Sequence, residues 1–508
     1  MGAVALDPRT PVLAGAGQVL EPPDPDGELT ERAEPVGLMA RALEEAARDC
    51  GGAPGRQLLE RAQSLRIMVP LSWSYIDPAA LVAERLGIVP AEHALTAIGG
   101  NGPQTVAAAT AAEIADGKLD VALLAGAECT WTRLAARRDP ARPVLSWTTQ
   151  PAGTPVPRLL GTERAPVTDT ELARGLDRPR NVFPLFENAL RAAWGESIDD
   201  HQARLAQLWA RFSEVAASNP HAWSRAAYTP DEIQTIAPGN RMIAFPYPKR
   251  MNANDRVDMG AALILCSLEA ARRAGVAEEN LVFPVAAADA NDHWFLSHRR
   301  DLHSSPALEA TTSAVLETAA LGVDDVDHLD LYSCFPCAVQ LAAAVLGIAV
   351  DDPGRPLTVT GGLGFAGGPG NNYVTHSLAT MAGLLRGQPG SVGLVTGLGW
   401  YVTKHSAGLW SSAPGRTPFR HVSPQSQVDA TEQRMPATDA EGDTTVETYT
   451  VVHDRAGEPS LGILALLDDE GRRAWGNVTD PDALCELETR EGCGRPAKLH
   501  ADGRVDLR

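Results

Sequence analysis

Positive charge, cysteine and long apolar runs are what this chain is short of. Its 44 lysines and arginines face 64 aspartates and glutamates, 44 − 64 = −20, a surplus that repels phosphate backbones and anionic lipid. General nucleic-acid or membrane-surface binding is therefore excluded, and a small molecule or another protein is the expected partner. Seven cysteines in 508 residues are sparse and odd in number, as where thiols stay reduced, so structural disulfides are not expected. No stretch of 18 apolar residues occurs, and MGAVALDPRTPVLAGAGQVL lacks a basic segment leading into an apolar run of signal length. The expected location is the cytoplasm. Also missing are a Walker loop, zinc-spaced Cys/His sets and a Gly-x-Ser-x-Gly elbow, while Gly15-Ala16-Gly17-Gln18 falls short of a dinucleotide fingerprint. No metal, nucleotide or permanently bound cofactor is implied.

What is present suffices for a large folded protein. With 44% hydrophobic and 21% charged residues, the chain has ample apolar surface to bury, and its length predicts several domains. Residues 10–17 read as a strand, 35–51 as a helix, 66–70 as a strand, 78–86 as a helix and 93–98 as a strand, an alternation that favours parallel sheets. From about 130 to 250 the rhythm breaks into a Pro-, Arg-, Trp- and Asn-rich excursion with helical stretches at 185–194 and 201–217. Alternation returns over 257–274, 282–288, 306–321 and 328–331, and 392–403 reads as a strand pair. Past a loose stretch at 411–427, alternating 445–452, a turn and apolar 461–467 predict a small, separate β domain with one helix near 481–488. Those short strands would suit a five-stranded OB-like barrel.

Two glycine-rich loops recur in register. GGNGPQTV at 99–106 and GGPGNNYV at 367–374 each open an Ala-rich helix, and VALLAG at 121–126 corresponds to VGLVTG at 392–397. Glycine turns are common singly; two in register indicate duplicated halves. Each loop offers backbone N–H groups at a helix start, so Gly99, Gly100, Asn101, Gly367, Gly368 and Gly370 are candidate binding residues for an anion or a developing oxyanion. Asn101 and Asn371 are expected to cap their helices. The predicted organisation is a first half at 1–274 containing the 130–250 insertion, a second half at 275–415, and the β domain at 428–508.

GGLGFAGGPG, GQPGSVGLVTGLG and GKLDVALLAGAE resemble loop and strand segments of the thiolase superfamily, over roughly residues 8–415. SCFP at 333–336, GGPGNNY at 367–373 and TKH at 403–405 resemble the actinobacterial thiolase-like proteins of type one, which carry an added OB-like domain. The resemblance implies an α/β thiolase fold with duplicated halves in five αβαβα layers. It further implies an acyltransferase of lipid metabolism with a coenzyme A thioester as substrate. Thiolases acylate a cysteine at the start of the first-half helix, activate it with a loop histidine and move protons with a second cysteine. By the resemblance, these places fall at Gly99, Gly368 and near Thr396, and the oxyanion-positioning residue at Tyr332. The customary reactive groups are gone.

Replacement chemistry has four sources. Cys334, between a strand and a helix, is the leading nucleophile candidate if the helix start lowers its pKa; the alternative is a buried structural thiol. His376 and His405 are candidate bases, with structural histidines as the alternative, and Tyr332 and Ser333 could orient a carbonyl or donate to an oxyanion. Cys334 and Cys337 also have dithiol redox spacing. The leading expectation is an acyltransferase with a rearranged site. Alternatives are a thioester-binding scaffold acting through a protein partner at the C-terminal domain, a retro-aldol lyase with Tyr332 as acid/base, and a thiol oxidoreductase.

Overall fold

Asp258–Ser267 explains the layering in a single strand. Its residues alternate between two cores: Ala262, Ile264 and Cys266 face helix Pro35–Asp49, and Leu263 and Leu265 face the interior. In this computed structural model, which describes residues 6–24 and 27–508, the strand is buried throughout. The first five residues of the predicted first half lie outside the described residues. A strand covered on both faces needs apolar side chains in near-continuous runs, as LILC and VALLAG provide.

The first sheet runs Pro11–Leu20, Asp258–Ser267, Val121–Cys129, Ser64–Ile67, Glu92–Thr96, Arg158–Leu160. The second runs His328–Asp330, Val392–Gly399, Lys404–Ser411, Phe283–Asn291, Arg420–Val422. Val121–Cys129 lies between a parallel neighbour, Ser64–Ile67, and an antiparallel one, Asp258–Ser267; Val392–Gly399 lies likewise between His328–Asp330 and Lys404–Ser411. The duplicated segments thus occupy equivalent places. Helices Gly102–Ala115 and Tyr373–Gly387 pack together between the sheets, while Pro35–Asp49 and Pro306–Ala319 cover the outer faces, giving five layers. Close approach of the outer helix needs glycine: a Cβ on Gly17 would lie 2.1 Å from the Ala42 carbonyl oxygen.

Several local expectations shift. The 392–403 strand pair is one strand ending at Gly399, a turn with Trp400 and Val402 at φ +56° and +53°, and a second strand, Lys404–Ser411. The helix expected from 185 begins at Pro179 and runs through Pro184, and the next begins at Ile198, where the Ser197 hydroxyl accepts the Asp200 N–H.

The C-terminal sheet centres on Gly442–His453, flanked antiparallel by Pro459–Leu467 and Pro496–Leu499, with Arg473–Val478 and Val505–Leu507 at its edges. A bridge from Asn477 to Arg504 links those edges. This sheet is joined to the insertion: Ala244 pairs with Val452, Asn188 Nδ2 donates to the Tyr449 carbonyl at 2.8 Å, and Thr448 Oγ1 to the Leu185 carbonyl at 2.7 Å. Polar pairs buried across a seam cost too much when broken for the two parts to drift apart. Among the described residues no helix is long and apolar enough to cross a membrane.

Candidate functional site

Strand Glu92–Thr96 delivers the chain to the first glycine loop, and helix Gly102–Ala115 starts there with Pro103 in its first turn, where a missing N–H costs nothing. The Gly99 N–H donates to Asn371 Oδ1 at 2.8 Å, and Asn371 Nδ2 donates to the Val69 carbonyl at 2.9 Å. The second loop therefore reaches across to the first. Among the described residues, neither Gly100 nor Asn101 donates its backbone N–H to a partner. Two open donors at a helix start, where the macrodipole adds roughly half a positive charge, are the parts of an oxyanion site.

Tyr332 and Lys404 close over these donors. A Cβ on Gly100 would lie 2.1 Å from Tyr332 Oη and 2.6 Å from the Leu398 carbonyl, so the space of a Gly100 side chain is filled by a phenol. The Tyr332 N–H donates to Thr396 Oγ1 at 2.9 Å, and its ring meets Tyr373 edge-on with centroids 5.7 Å apart. Tyr332 is 8% exposed, its hydroxyl has no hydrogen-bond partner among the described residues, and burial pushes the phenol well above its ordinary range. It stays protonated, hence a donor. Lys404 Nζ donates to the Ile98 carbonyl at 2.7 Å and would lie 3.4 Å from a Cβ on Gly99. Burial holds its ammonium below the ordinary lysine range, with Glu163 opposing.

Sequence reasoning missed Lys404 by one residue. Along a strand, neighbours point to opposite faces. Lys404 and Ser406 face the loop, Ser406 Oγ donating to the Asn101 carbonyl at 3.3 Å, whereas His405 turns away. The His405 ring sits among Ser305 Oγ at 3.2 Å, the Val402 carbonyl at 3.2 Å and Asp292 Oδ2 at 3.4 Å. Period-two alternation from Lys404 to Ser406 was the available signal.

The other candidates also disperse. Cys334 is 8% exposed, and burial pushes its thiol up, outweighing the backbone N–H groups of Phe335 and Cys334 that act the other way. The expected helix-start activation is thus overturned, because loss of hydration outweighs a terminal dipole. Cys337 is raised likewise, chiefly by burial and then by Glu187, and its Sγ donates to the Phe183 carbonyl at 3.5 Å. Ser333 is fully buried, and its Oγ accepts the Leu363 N–H at 3.3 Å. Asn101 does not cap as expected: its Nδ2 donates to Thr105 Oγ1 at 3.1 Å and its Oδ1 is unpartnered. Asn371 bridges loops instead of capping. In the second loop the N–H groups of Gly368 and Gly370 donate to the Asn254 and Gly368 carbonyls, both at 2.8 Å. There a Cβ would meet Met259 Sδ at 2.7 Å from Gly367 and Glu128 Oε1 at 2.3 Å from Gly370. These glycines serve close packing.

His376 faces Gln18, its Nδ1 lying 2.8 Å from Gln18 Oε1, and its buried Nε2 has no partner among the described residues. Burial, then nearby His221, lowers it to about 3, too weak a base for neutral pH. The unfolded chain binds this proton from about 6.5 downward while the folded one refuses it until about 3. Stability is therefore lost as pH falls through that window, by about 1.4 kcal/mol per pH unit for one proton. His376→Gln is expected to remove that share of the slope, measured by urea denaturation across the window; an unchanged slope would refute it.

A cavity of about 550 Å³ adjoins the loop at Ile98, lined by Val69, Trp73, Tyr75, Leu95 and Arg133. Its walls are largely apolar, and the Val69 carbonyl ties it to Asn371.

Residues 424–504 match the family model described as the additional C-terminal domain of thiolase-like protein type 1. The chain is similar to a monomeric SCP2-thiolase-like protein type 1 from Mycobacterium smegmatis, with 31% identity, 99% of this chain and 100% of that one covered, and a TM-score of 0.84. It also resembles an Ltp2-ChsH2(DUF35) aldolase at 18% identity, with 80% and 98% covered and a TM-score of 0.59. The dimeric peroxisomal thiolase of Saccharomyces cerevisiae follows at 14% identity, with 80% and 98% covered and a TM-score of 0.56. The last two share the fold alone. No curated protein sequence matches.

Proposed function

Because the chain belongs to the SCP2-thiolase-like proteins of type 1, we propose that it binds an acyl thioester at the first glycine loop and acts on it without an acyl-enzyme, by carbon–carbon bond cleavage. The observation that carries this reading is the Tyr332 hydroxyl standing where a Gly100 side chain would be. A β-hydroxyacyl thioester would seat its carbonyl oxygen on the Gly100 and Asn101 N–H groups and on Tyr332. Lys404, whose burial favours the neutral amine, takes the β-hydroxyl proton. The Cα–Cβ bond breaks, an aldehyde or ketone leaves, and the electron pair enters the thioester enolate, whose Cα takes back the proton held by Lys404 to give the shortened thioester. The cavity at Ile98 is offered for the acyl chain. A fold neighbour described as an Ltp2-ChsH2(DUF35) aldolase is in keeping with carbon–carbon bond cleavage as the reaction class. Thioester binding without turnover is the second reading, favoured by the hydrogen bond that occupies Lys404 Nζ.

Two measurements test this. Incubated with a panel of acyl-CoAs, the purified protein is expected to show no mass increase. Given β-hydroxyacyl-CoAs, it is expected to release a carbonyl product trappable as a hydrazone. An acyl adduct that disappears in Cys334→Ser would restore acyl transfer, and binding without product would select the second reading.

A further inference from the structure

On a chain of net charge −20, one cleft is lined by arginines. It measures about 510 Å³ and lies at the seam between the insertion, at helices Asp169–Ala173 and Pro179–Trp194, and the C-terminal sheet, which contributes Leu461 and Asn477. Arg174, Arg178 and Arg180 line it, and Arg241 and Arg455 stand close enough to act on Arg180. The scaffold holds several in place: Arg174 Nη1 donates to the Asp502 carbonyl at 2.8 Å, and Arg241 Nη1 to the Met242 and Asp454 carbonyls, both at 2.9 Å. Asp177 answers part of the charge, its Oδ2 3.1 Å from Arg178 Nε. Arg180 pairs with nothing among the described residues. Its guanidinium is pushed below the ordinary range by partial burial first, then by the like charges of Arg178 and Arg241, with Asp177 opposing and Arg455 adding to the repulsion. Concentrating cations against one another is unfavourable unless an anion joins them.

A second observation is independent of charge. Asn181, in the first turn of the 16-residue helix Pro179–Trp194, also lines the cleft and is 7% exposed. Its Nδ2 donates to the Gly175 carbonyl at 2.8 Å and to Asp177 Oδ1 at 3.3 Å, which fixes the orientation of the amide. Its Oδ1 is buried and has no hydrogen-bond partner among the described residues. An orphaned buried acceptor is unfavourable, and the ionised oxygens of a phosphate ester cannot satisfy it, since only a donor can. The helix start itself, with Arg178 at the N-cap making no side-chain cap, favours negative charge.

We propose that this cleft binds a phosphorylated sugar, its phosphate held by Arg178, Arg180 and the helix start, and a neighbouring hydroxyl donating to Asn181 Oδ1. Leu172 and Leu461 offer apolar wall to the rest of the ligand. Two sources carry this chemistry: a free sugar phosphate, or the phosphorylated ribose of a coenzyme A thioester. The inference does not depend on Tyr332 or on any turnover.

Calorimetric titration of the full chain tests it with ribose 5-phosphate, inorganic phosphate and acetyl-CoA as probes. Ribose 5-phosphate is expected to bind more tightly than inorganic phosphate, and Arg180→Gln to weaken it roughly 10- to 100-fold. Arg180 makes no structural bond, so the variant is expected to fold, and its near-ultraviolet circular dichroism should match the parent. If acetyl-CoA responds to Arg180→Gln while ribose 5-phosphate does not bind, the coenzyme is the source and the site stands. Should neither probe bind, or should Arg180→Gln leave both affinities unchanged, the proposal is overturned.

Discussion

Tyr332→Phe is expected to lower carbonyl release from a β-hydroxyacyl-CoA by about 100- to 1,000-fold while thioester affinity stays close to the parent's. The substitution deletes one oxygen and leaves the anchoring intact, because Tyr332 is held by its backbone N–H on Thr396 and by ring contact with Tyr373. Its hydroxyl holds no partner among the described residues, so its loss strands no buried group there. What disappears is a donor aimed at the loop where charge would develop. Burial keeps the phenol protonated beyond its ordinary range, so Tyr332 itself contributes no descending limb to the rate profile near neutral pH. Lys404 contributes an ascending limb instead, as its amine loses a proton below the ordinary lysine value, and Lys404→Met should abolish that limb. An unchanged turnover in Tyr332→Phe would remove the phenol from the mechanism.

Asn371→Leu is expected to cost about 2–6 kcal/mol of stability, since it strands two buried backbone groups at about 1–3 kcal/mol each. Asn371 is 4% exposed and joins the Val69 carbonyl to the Gly99 N–H through one planar amide. That amide spans the two halves of the fold at the site itself. Thioester affinity should fall with stability, because the Gly99 peptide sets the direction of the next two N–H groups. Asn371→Asp keeps the acceptor and loses the donor, so an intermediate loss in the urea midpoint is expected. Equal midpoints for parent and Asn371→Leu would show that the bridge contributes nothing.

Competition between burial and local geometry runs through the site. A helix terminus favours an anion by about 0.3–2 kcal/mol, whereas an unpaired charge drawn out of water costs several kcal/mol. Cys334 illustrates the outcome: its place just ahead of helix Pro336–Leu346 promised a thiolate, and burial raised the thiol instead. His376 shows the same preference with opposite sign, burial keeping its ring neutral.

The linear chain by itself determined the duplication, because the two loops, their helices and their following strands recur in order, and sheet pairing places them equivalently. It also determined that no cysteine occurs between Cys50 and Cys129 and that glycine precedes Pro369, since residue identity at a loop needs no coordinates. Which side chains crowd the first loop was decided only in three dimensions. Tyr332 comes from a strand end more than 200 residues from Gly100. Lys404 is distinguished from His405 only by the face of the strand on which each lies. Hydration is likewise a tertiary property: neither the raised thiol of Cys334 nor the unpaired Asn181 amide oxygen can be read from neighbours in sequence, because the atoms that exclude water come from other elements.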